Sequence, residues 1–450
     1  MASIHIFRTI RSGLAVLLSL LSASAPASAD VSADERPPNF IVVFVDDQGY
    51  QDLGCFGSPT LNTPNIDRMA GEGMKLTDFY VAAPLCSPSR AALLTGCYPR
   101  RVGLGNWVLR PDSRKGLHTD EITLAELLKT RGYACACIGK WHLGFPPPFR
   151  PTRQGFDYYY GLLHNLDLEA DYLADEGGVP ILRNDDVVKR PADPAELTEL
   201  YTDEAVRFIT RSRDRPFFLY LAHTMAHLPL GVSERFRGKS GAGLYGDVIA
   251  CLDWSTGVIL ETLRELDLEA QTIVVYTSDN GPGSRDASAR PLRGRKLTTY
   301  EGGMRVPCVI WGPGRVPAGK VCSEIVTSMD WYPTFAGLAG AELPADRVID
   351  GKDIWPLISG AAGAKSPHEA FFYHGNLGEL AAVRSGPWKL HLNPTPILYN
   401  LEEDVAERND VTRRHFDVVR RLRDLAISFQ EDLRRNSRPA GEIESPSGGR

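Results

Sequence analysis

Apolar residues along this chain fall in short continuous runs that end abruptly in polar clusters, and stretches of helical periodicity separate them. Asn39 to Val45 is almost unbroken in apolar character before it stops at Asp46-Asp47. A run of that kind predicts a central strand covered on both faces. Thr123 to Lys129 predicts a helix, Tyr133 to Ile138 a strand leading into Gly139-Lys140-Trp141-His142, and Phe217 to Leu221 a strand ending near His223 and His227. Leu252 to Leu266 has helical spacing, and Thr272 to Thr277 predicts a strand that closes on Ser278-Asp279-Asn280-Gly281. Strands alternating with helices imply an α/β fold: a doubly wound, mostly parallel central sheet flanked by helices. Ligands of such sheets bind beyond the carboxyl ends of the strands. Four strands here end in Asp-Asp, Lys-x-His, His and Asp-Asn, which points to one shared site.

Outside this alternation the pattern loosens. Gly177 to Pro194 is polar and rich in Pro, Gly and Asp, which predicts a surface excursion, and Phe236 to Gly246 is Gly-rich, which predicts a mobile loop near the site. Small residues around Gly360 to Ser366 predict a boundary. Beyond it, Ala370 to His374, Ala381 to Arg384, Trp388 to Leu392 and Leu398-Tyr399 predict short antiparallel strands, followed by a charged helix from Arg413 to Arg434. The expected organisation is a leader at 1–29, a catalytic domain at 30–365, a smaller C-terminal antiparallel-sheet-plus-helix subdomain at 366–435, and a disordered tail at 436–450.

The start of the chain reads as a secretory signal: Arg8 and Arg11, the apolar run Leu14 to Leu21, and Ala27-Ser28-Ala29 as a cleavage site. The apolar run is too short to span a bilayer, so an exported protein, periplasmic or secreted, without integral membrane association is expected. The absence of an Asn-x-Ser/Thr acceptor fits a bacterial source. The formal net charge of -6 excludes a general attraction to nucleic acid, so an anionic substrate would need locally concentrated positive charge. Eight cysteines in 450 residues are too sparse for a disulfide scaffold. Cys135 and Cys137 alternate in a strand and share one face.

Asp46, Asp47, Asp279 and Asn280 offer hard oxygen ligands, which suit Ca²⁺ or Mg²⁺ rather than zinc. Cys86 lies just before a short helix, Ser89 to Thr95, where oriented N–H groups favour an anion and Arg90 can turn back toward it. The residues alone leave three readings of Cys86: a buried structural cysteine, a thiolate nucleophile, or the precursor of another group. A thiolate matches a hard-oxygen metal site poorly.

Cys86-Ser87-Pro88-Ser89-Arg90 with Leu94-Thr95-Gly96 resembles the sulfatase signature Cys-x-Pro-Ser-Arg. Gly132 to His142 resembles the second signature of that family, with Cys135 in place of the usual Ser or Thr. Asp46 to Tyr50, Ser278 to Gly281, Lys296 to Gly303 and Arg305-Val306-Pro307 resemble further family motifs, in order, from about Pro38 to Asp410. The resemblance is to arylsulfatase-type members of the alkaline phosphatase superfamily.

That resemblance implies that a formylglycine-generating maturation enzyme oxidises Cys86 to formylglycine (3-oxoalanine), whose hydrate presents oxygen to the metal. It implies Ca²⁺ before Mg²⁺, held by Asp46, Asp47, residue 86, Asp279 and Asn280. One hydroxyl of the hydrate, deprotonated by Asp279, would attack the sulfur, and the second would lose a proton as sulfate is expelled. Lys140 and Lys296 would neutralise sulfate oxygens, and Arg90 would hold the diol. His142 would be the base for the second hydroxyl, and His227, in Ala226-His227-Leu228-Pro229, the donor to the leaving oxygen. His223 is expected to be structural, His374 a candidate substrate contact, and Asn165 a candidate sulfate contact. The substrate class is a sulfated small molecule or carbohydrate, with selectivity expected from 177–194, 236–246 and the small C-terminal unit. An alternative is a phosphonate or phosphate ester hydrolase of the same superfamily, since formylglycine-bearing phosphonate hydrolases share the core signature. A non-catalytic binding protein would be expected to have lost several of these groups.

Overall fold

A computed structural model of the chain describes residues 36–168 and 172–444; the leader and the last six residues lie outside them. Ten strands form the main sheet, in the spatial order Lys320–Cys322, Met74–Leu76, Cys308–Trp311, Thr272–Ser278, Asn39–Val45, Phe217–Ala222, Ala134–Gly139, Tyr158–Gly161, Ile181–Arg183 and Asp186–Lys189. From Thr272–Ser278 to Tyr158–Gly161 the neighbours run parallel; antiparallel pairings extend the sheet on each side, except that the edge strand Lys320–Cys322 lies parallel to Met74–Leu76. Asn39 ties three strand starts together: its side-chain Nδ2 donates to Thr272 Oγ1 at 3.1 Å and its side-chain Oδ1 accepts the Phe217 N–H at 3.2 Å.

The alternation along Asn39–Val45 separates two cores. Phe40, Val42 and Phe44 pack with the helices Cys86–Thr95, Leu124–Lys129 and Trp331–Ala339. Ile41, Val43 and Val45 pack with Pro64–Glu72, Leu197–Ser212 and Gly243–Glu265. Burial on both faces is why this strand carries no polar alternation. Cys135 and Cys137 lie together in the first core, and all eight cysteines are unpaired.

Four antiparallel strands, Phe371–His374, Leu380–Ser385, Trp388–His391 and Ile397–Asn400, form the C-terminal sheet, backed by the helix Phe416–Asn436. Phe371, Tyr373, Val383 and Leu390 join the same apolar cluster as Phe40, so this unit shares the core of the large sheet. Arg384 pairs with Asp78 at 2.6 Å, and buried Lys389 with buried Glu301 at 2.9 Å.

Three expectations gain detail. Residues 436–444 of the tail find partners: Arg438 forms a bidentate pair with Glu121 (2.6 and 2.9 Å), and Gly441–Glu442 pairs with Lys115–Gly116. The surface excursion expected at 177–194 contains a hairpin, residues 181–189, that extends the sheet edge. The Gly-rich stretch before Leu252 is half helical, since the helix begins at Gly243 and Asp247 accepts the N–H groups of Gly238 and Ser240 at 2.7 and 2.9 Å. No helix among the described residues is long and apolar enough to cross a membrane.

Candidate active site

The parallel strands deliver their carboxyl ends to one place. Asp46 and Asp47 follow Val45, Asp279 and Asn280 follow Ser278, and Lys140 and His142 follow Gly139. All six are buried. The backbone must turn sharply there, and Asp47 and His142 have φ of 61° and 60°. Two glycines are required by close approach. A Cβ on Gly139 would lie 1.9 Å from the Ala222 carbonyl oxygen, and one on Gly283 would lie 2.0 Å from Asp47 Oδ2.

The helix expected from Ser89 begins earlier, at Cys86, after the extended residue Leu85. Pro88 is tolerated because the N–H groups of a first turn have no partner within the helix. Cys86 therefore occupies the positive end of a fully buried ten-residue helix. Its Sγ lies 3.5 Å from Asp46 Oδ1. Arg90, one turn on, donates to Asp279 Oδ2 at 2.8 Å, to Asp46 Oδ2 at 3.2 Å, and to the Lys140 carbonyl at 3.0 Å. Lys140 Nζ forms a short bond to Asp46. Lys296 arrives on a separate loop and reaches Asp47 at 2.7 and 2.8 Å. Asn280 Nδ2 donates to Asp47 Oδ1 at 2.7 Å, and its Oδ1 is buried without a partner.

Charge balance sets the protonation states. Burial pushes the Asp46 carboxyl up, but Lys140, His227, Arg90 and Lys296 outweigh it and hold the group well below the usual carboxylate range. Burial and the neighbouring Asp46 charge raise Asp279 to about 6, against Arg90 and Lys140. Burial, then Asp46, push the Cys86 thiol up, so it stays protonated. Burial lowers Lys296, yet the Asp47 and Asp46 carboxylates more than compensate and its ammonium is stabilised. Burial, then Lys140 and Arg90, keep His142 well below the usual histidine range. Its Nε2 lies 3.0 Å from the Leu109 carbonyl, so the neutral ring donates there and Nδ1, buried and unpartnered, keeps its lone pair.

His227 Nδ1 bonds the Leu228 carbonyl at 2.7 Å, which leaves Nε2 beside Asp47 (3.7 Å) and Asn165 (3.4 Å). One ligand-type atom from each of Asp46, Asp47, Cys86 and His227 lies within 4.8 Å of the others. Asp279 stands next to this group, its oxygens taken by Arg90 and by the Asp47 N–H at 3.2 Å. The structure thus gathers Cys86, Arg90, Lys140, His227, Lys296, Asp46, Asp47, Asp279 and Asn280. His142 adjoins them through Leu109, whose N–H donates to Ser87 Oγ at 3.1 Å.

Other histidines divide clearly. His223 is buried, held at 3.3 Å from Ser255 Oγ, and lowered by burial to about 3. His374 does not reach the cleft; it is buried between Tyr98 and Phe429. A cleft of about 360 Å³ opens over Cys86, His227 and Lys296, lined further by Leu85, Trp107, Val108, Arg110, Asn165, Asp167, Tyr172 and Leu297. Its outer walls are therefore 107–110 on one side and Asn165, Asp167 and Tyr172 on the other, not 177–194 or 236–246. Residues 107–110 carry no periodicity and follow no strand, so nothing in their pattern marks them.

The family model for sulfatases matches residues 38–341, and that for the C-terminal part of N-sulphoglucosamine sulphohydrolase matches 295–425. The chain belongs to the sulfatase family. Dog (Canis lupus familiaris) N-acetylgalactosamine-6-sulfatase is 40% identical over 398 residues, covering 83% of this chain and 75% of the relative. Human (Homo sapiens) arylsulfatase A is 40% identical over 383 residues, covering 79% and 75%. The crystal structure of Ps i-CgsB in complex with k-i-k-neocarrahexaose superposes with a TM-score of 0.80 at 32% identity, covering 91% of this chain and 96% of that one. The fold and the activity, hydrolysis of a sulfate ester, follow for this sulfatase.

Proposed function

We propose that this sulfatase releases inorganic sulfate from a sulfated carbohydrate, using formylglycine made from Cys86 and one Ca²⁺ held by Asp46, Asp47, Asp279, Asn280 and residue 86. The observation that carries this reading is the convergence of hard-oxygen donors on the start of the Cys86 helix. The donor set fits a hard cation: carboxylates predominate, and Asn280 Oδ1 is a buried acceptor without a partner. A thiol held protonated by burial and by Asp46 is a poor nucleophile, which supports conversion over direct use of sulfur. When in place, the cation supplies positive charge to the sulfate oxygens and acidifies an oxygen nucleophile, and the converted side chain at 86 supplies that oxygen.

Geometry supports a role for each remaining residue. Arg90 fixes the Asp46 and Asp279 carboxylates from below the site. Lys140 and Lys296, each on a different aspartate, place compact positive charge where sulfate oxygens would lie. Asp279, held by Arg90 beside the start of the Cys86 helix, is the acceptor for the proton of the attacking hydroxyl. His142, neutral with a free Nδ1, is the base of the second half-reaction. His227, fixed by the Leu228 carbonyl, turns Nε2 toward the leaving oxygen. The leader-like start of the chain supports export, and the formylglycine reading implies a maturation enzyme as partner.

Matched sulfate and phosphonate monoesters of one phenol test the assignment. Faster hydrolysis of the sulfate is expected; a preference for the phosphonate by orders of magnitude would sink it in favour of the superfamily alternative.

A further inference from the structure

The cleft over Cys86 is larger than one sulfate requires, and its outer wall is anchored to the reacting end. Trp107 N–H donates to the Asn376 carbonyl at 2.9 Å. Leu109 bonds Ser87 Oγ through its N–H (3.1 Å) and His142 Nε2 through its carbonyl (3.0 Å). Ser87 adjoins Cys86, and His142 is two residues past Lys140. Arg110 thus follows directly on a residue fixed to both, so its place relative to the scissile ester is set by the fold.

Arg110 differs from the other cations of the site. Arg90, Lys140 and Lys296 each meet an aspartate. Among the described residues Arg110 has no carboxylate partner; its guanidinium donates to Tyr172 Oη at 3.1 Å, which bridges the two walls of the cleft. It is exposed and keeps most of its donors for a ligand. Trp107, 39% exposed, presents an aromatic ring in the same cleft, and Asp167 offers acceptors for hydroxyl groups.

We propose that Arg110 reads a second anionic group on the substrate, on the sugar next to the one whose ester is cleaved, with Trp107 against the apolar face of a sugar ring. The substrate class is then a saccharide with at least two negative charges, the reacting sulfate and a neighbouring sulfate or carboxylate. This rests on the sulfatase reading above and narrows it. A guanidinium fork matches either oxyanion, and a charge-assisted bond of this kind is the strong sort.

The test uses full-length matured enzyme and three disaccharides that differ at one position: monosulfated and otherwise neutral, the same with a second sulfate, and the same with a uronate carboxylate. Wild type is expected to favour one or both dianions by about tenfold in kcat/KM, chiefly through KM, and to lose that preference as NaCl is raised. Arg110→Gln should bring the dianion-to-monoanion ratio close to one, and Arg110→Lys should restore part of it. The sulfate and uronate arms identify which anion is read. Equal efficiency on all three substrates, or a ratio unchanged by Arg110→Gln, overturns the proposal and leaves the sulfatase reading standing. Failure on all three sulfates with turnover of a phosphonate monoester would overturn that reading instead.

Discussion

Lys389→Met is the sharpest test of how the C-terminal sheet supports the catalytic loop. The Lys389 ammonium is fully buried between Glu301 Oε1 (2.9 Å) and Glu407 Oε1 (3.0 Å), 4.0 Å from the Tyr373 ring centre. Glu407 also accepts the Glu301 N–H at 2.7 Å, and its carbonyl accepts from Arg293 at 2.7 Å. Lys296 lies between Arg293 and Glu301, so this buried cluster anchors both sides of the loop that carries it. Methionine keeps most of the volume but leaves two buried carboxylates without their shared cation. Arg305 at 3.5 Å from Glu301 and His391 at 2.8 Å from Glu407 remain, so the cost falls at the lower end of the range for a broken buried pair, about 3 kcal/mol.

The pH dependence of that loss has a definite sign. In the wild type, burial pushes Glu301 up, but Lys389, Arg384, Arg305 and Tyr80 outweigh it and hold it well below the usual carboxylate range. A depressed carboxyl stabilises the fold above its unfolded pKa and loses that only as pH falls through its low folded value. Without Lys389 the Glu301 carboxyl shifts upward, the native state takes up a proton on acidification, and the deficit narrows from about pH 7 to about pH 5. Urea unfolding across that range measures it, and Lys389→Met/Glu407→Gln should recover part of the loss. A loss below about 1 kcal/mol at neutral pH, with the double variant no better, would refute the reasoning.

Other outcomes follow from the site. His227→Ala should slow unactivated alkyl sulfates by about a hundredfold or more and nitrophenyl sulfate much less, since a good leaving group needs little protonation; equal losses would remove its role as donor. Added Ca²⁺ should raise the melting temperature of the wild type, and Asp47→Asn, which removes the charged partner of Lys296 and Asn280, should abolish that rise; an equal rise in both would place the cation elsewhere. Burial raises Asp52 to about 6, against the donors Tyr245, Ser288 and Gly49, so the native state binds the extra proton and stability should fall as pH rises from about 4 to about 6. Asp52→Asn should flatten that slope in denaturation profiles; an unaltered slope would assign it to another group.

The parallel sheet and its strand-end residues were legible because the chain punctuates buried strands with residues that have no packing reason to be there. Asp46-Asp47, Lys140 and Asp279-Asn280 each follow a strand covered on both faces, and the sheet brings them together. The Arg90 pairing was less visible, because one guanidinium joins residues 44 and 189 positions away in sequence. The cleft walls were hidden for a different reason. Trp107 to Arg110 is held by single bonds to Ser87, His142 and Asn376, and such contacts leave no periodic trace. Composition also misled at the tail, where the Pro- and Gly-rich pattern suggested disorder while Arg438 and Gly441 found partners on the distant segments around Glu121 and Gly116.

The mass of the peptide containing Cys86, from protein matured in a host that converts the signature, reports whether the nucleophile is made from that residue. An aldehyde or its hydrate at that residue, in proportion to specific activity across preparations, is the predicted result. Full sulfatase activity in a preparation whose Cys86 peptide carries only unmodified thiol would contradict the account.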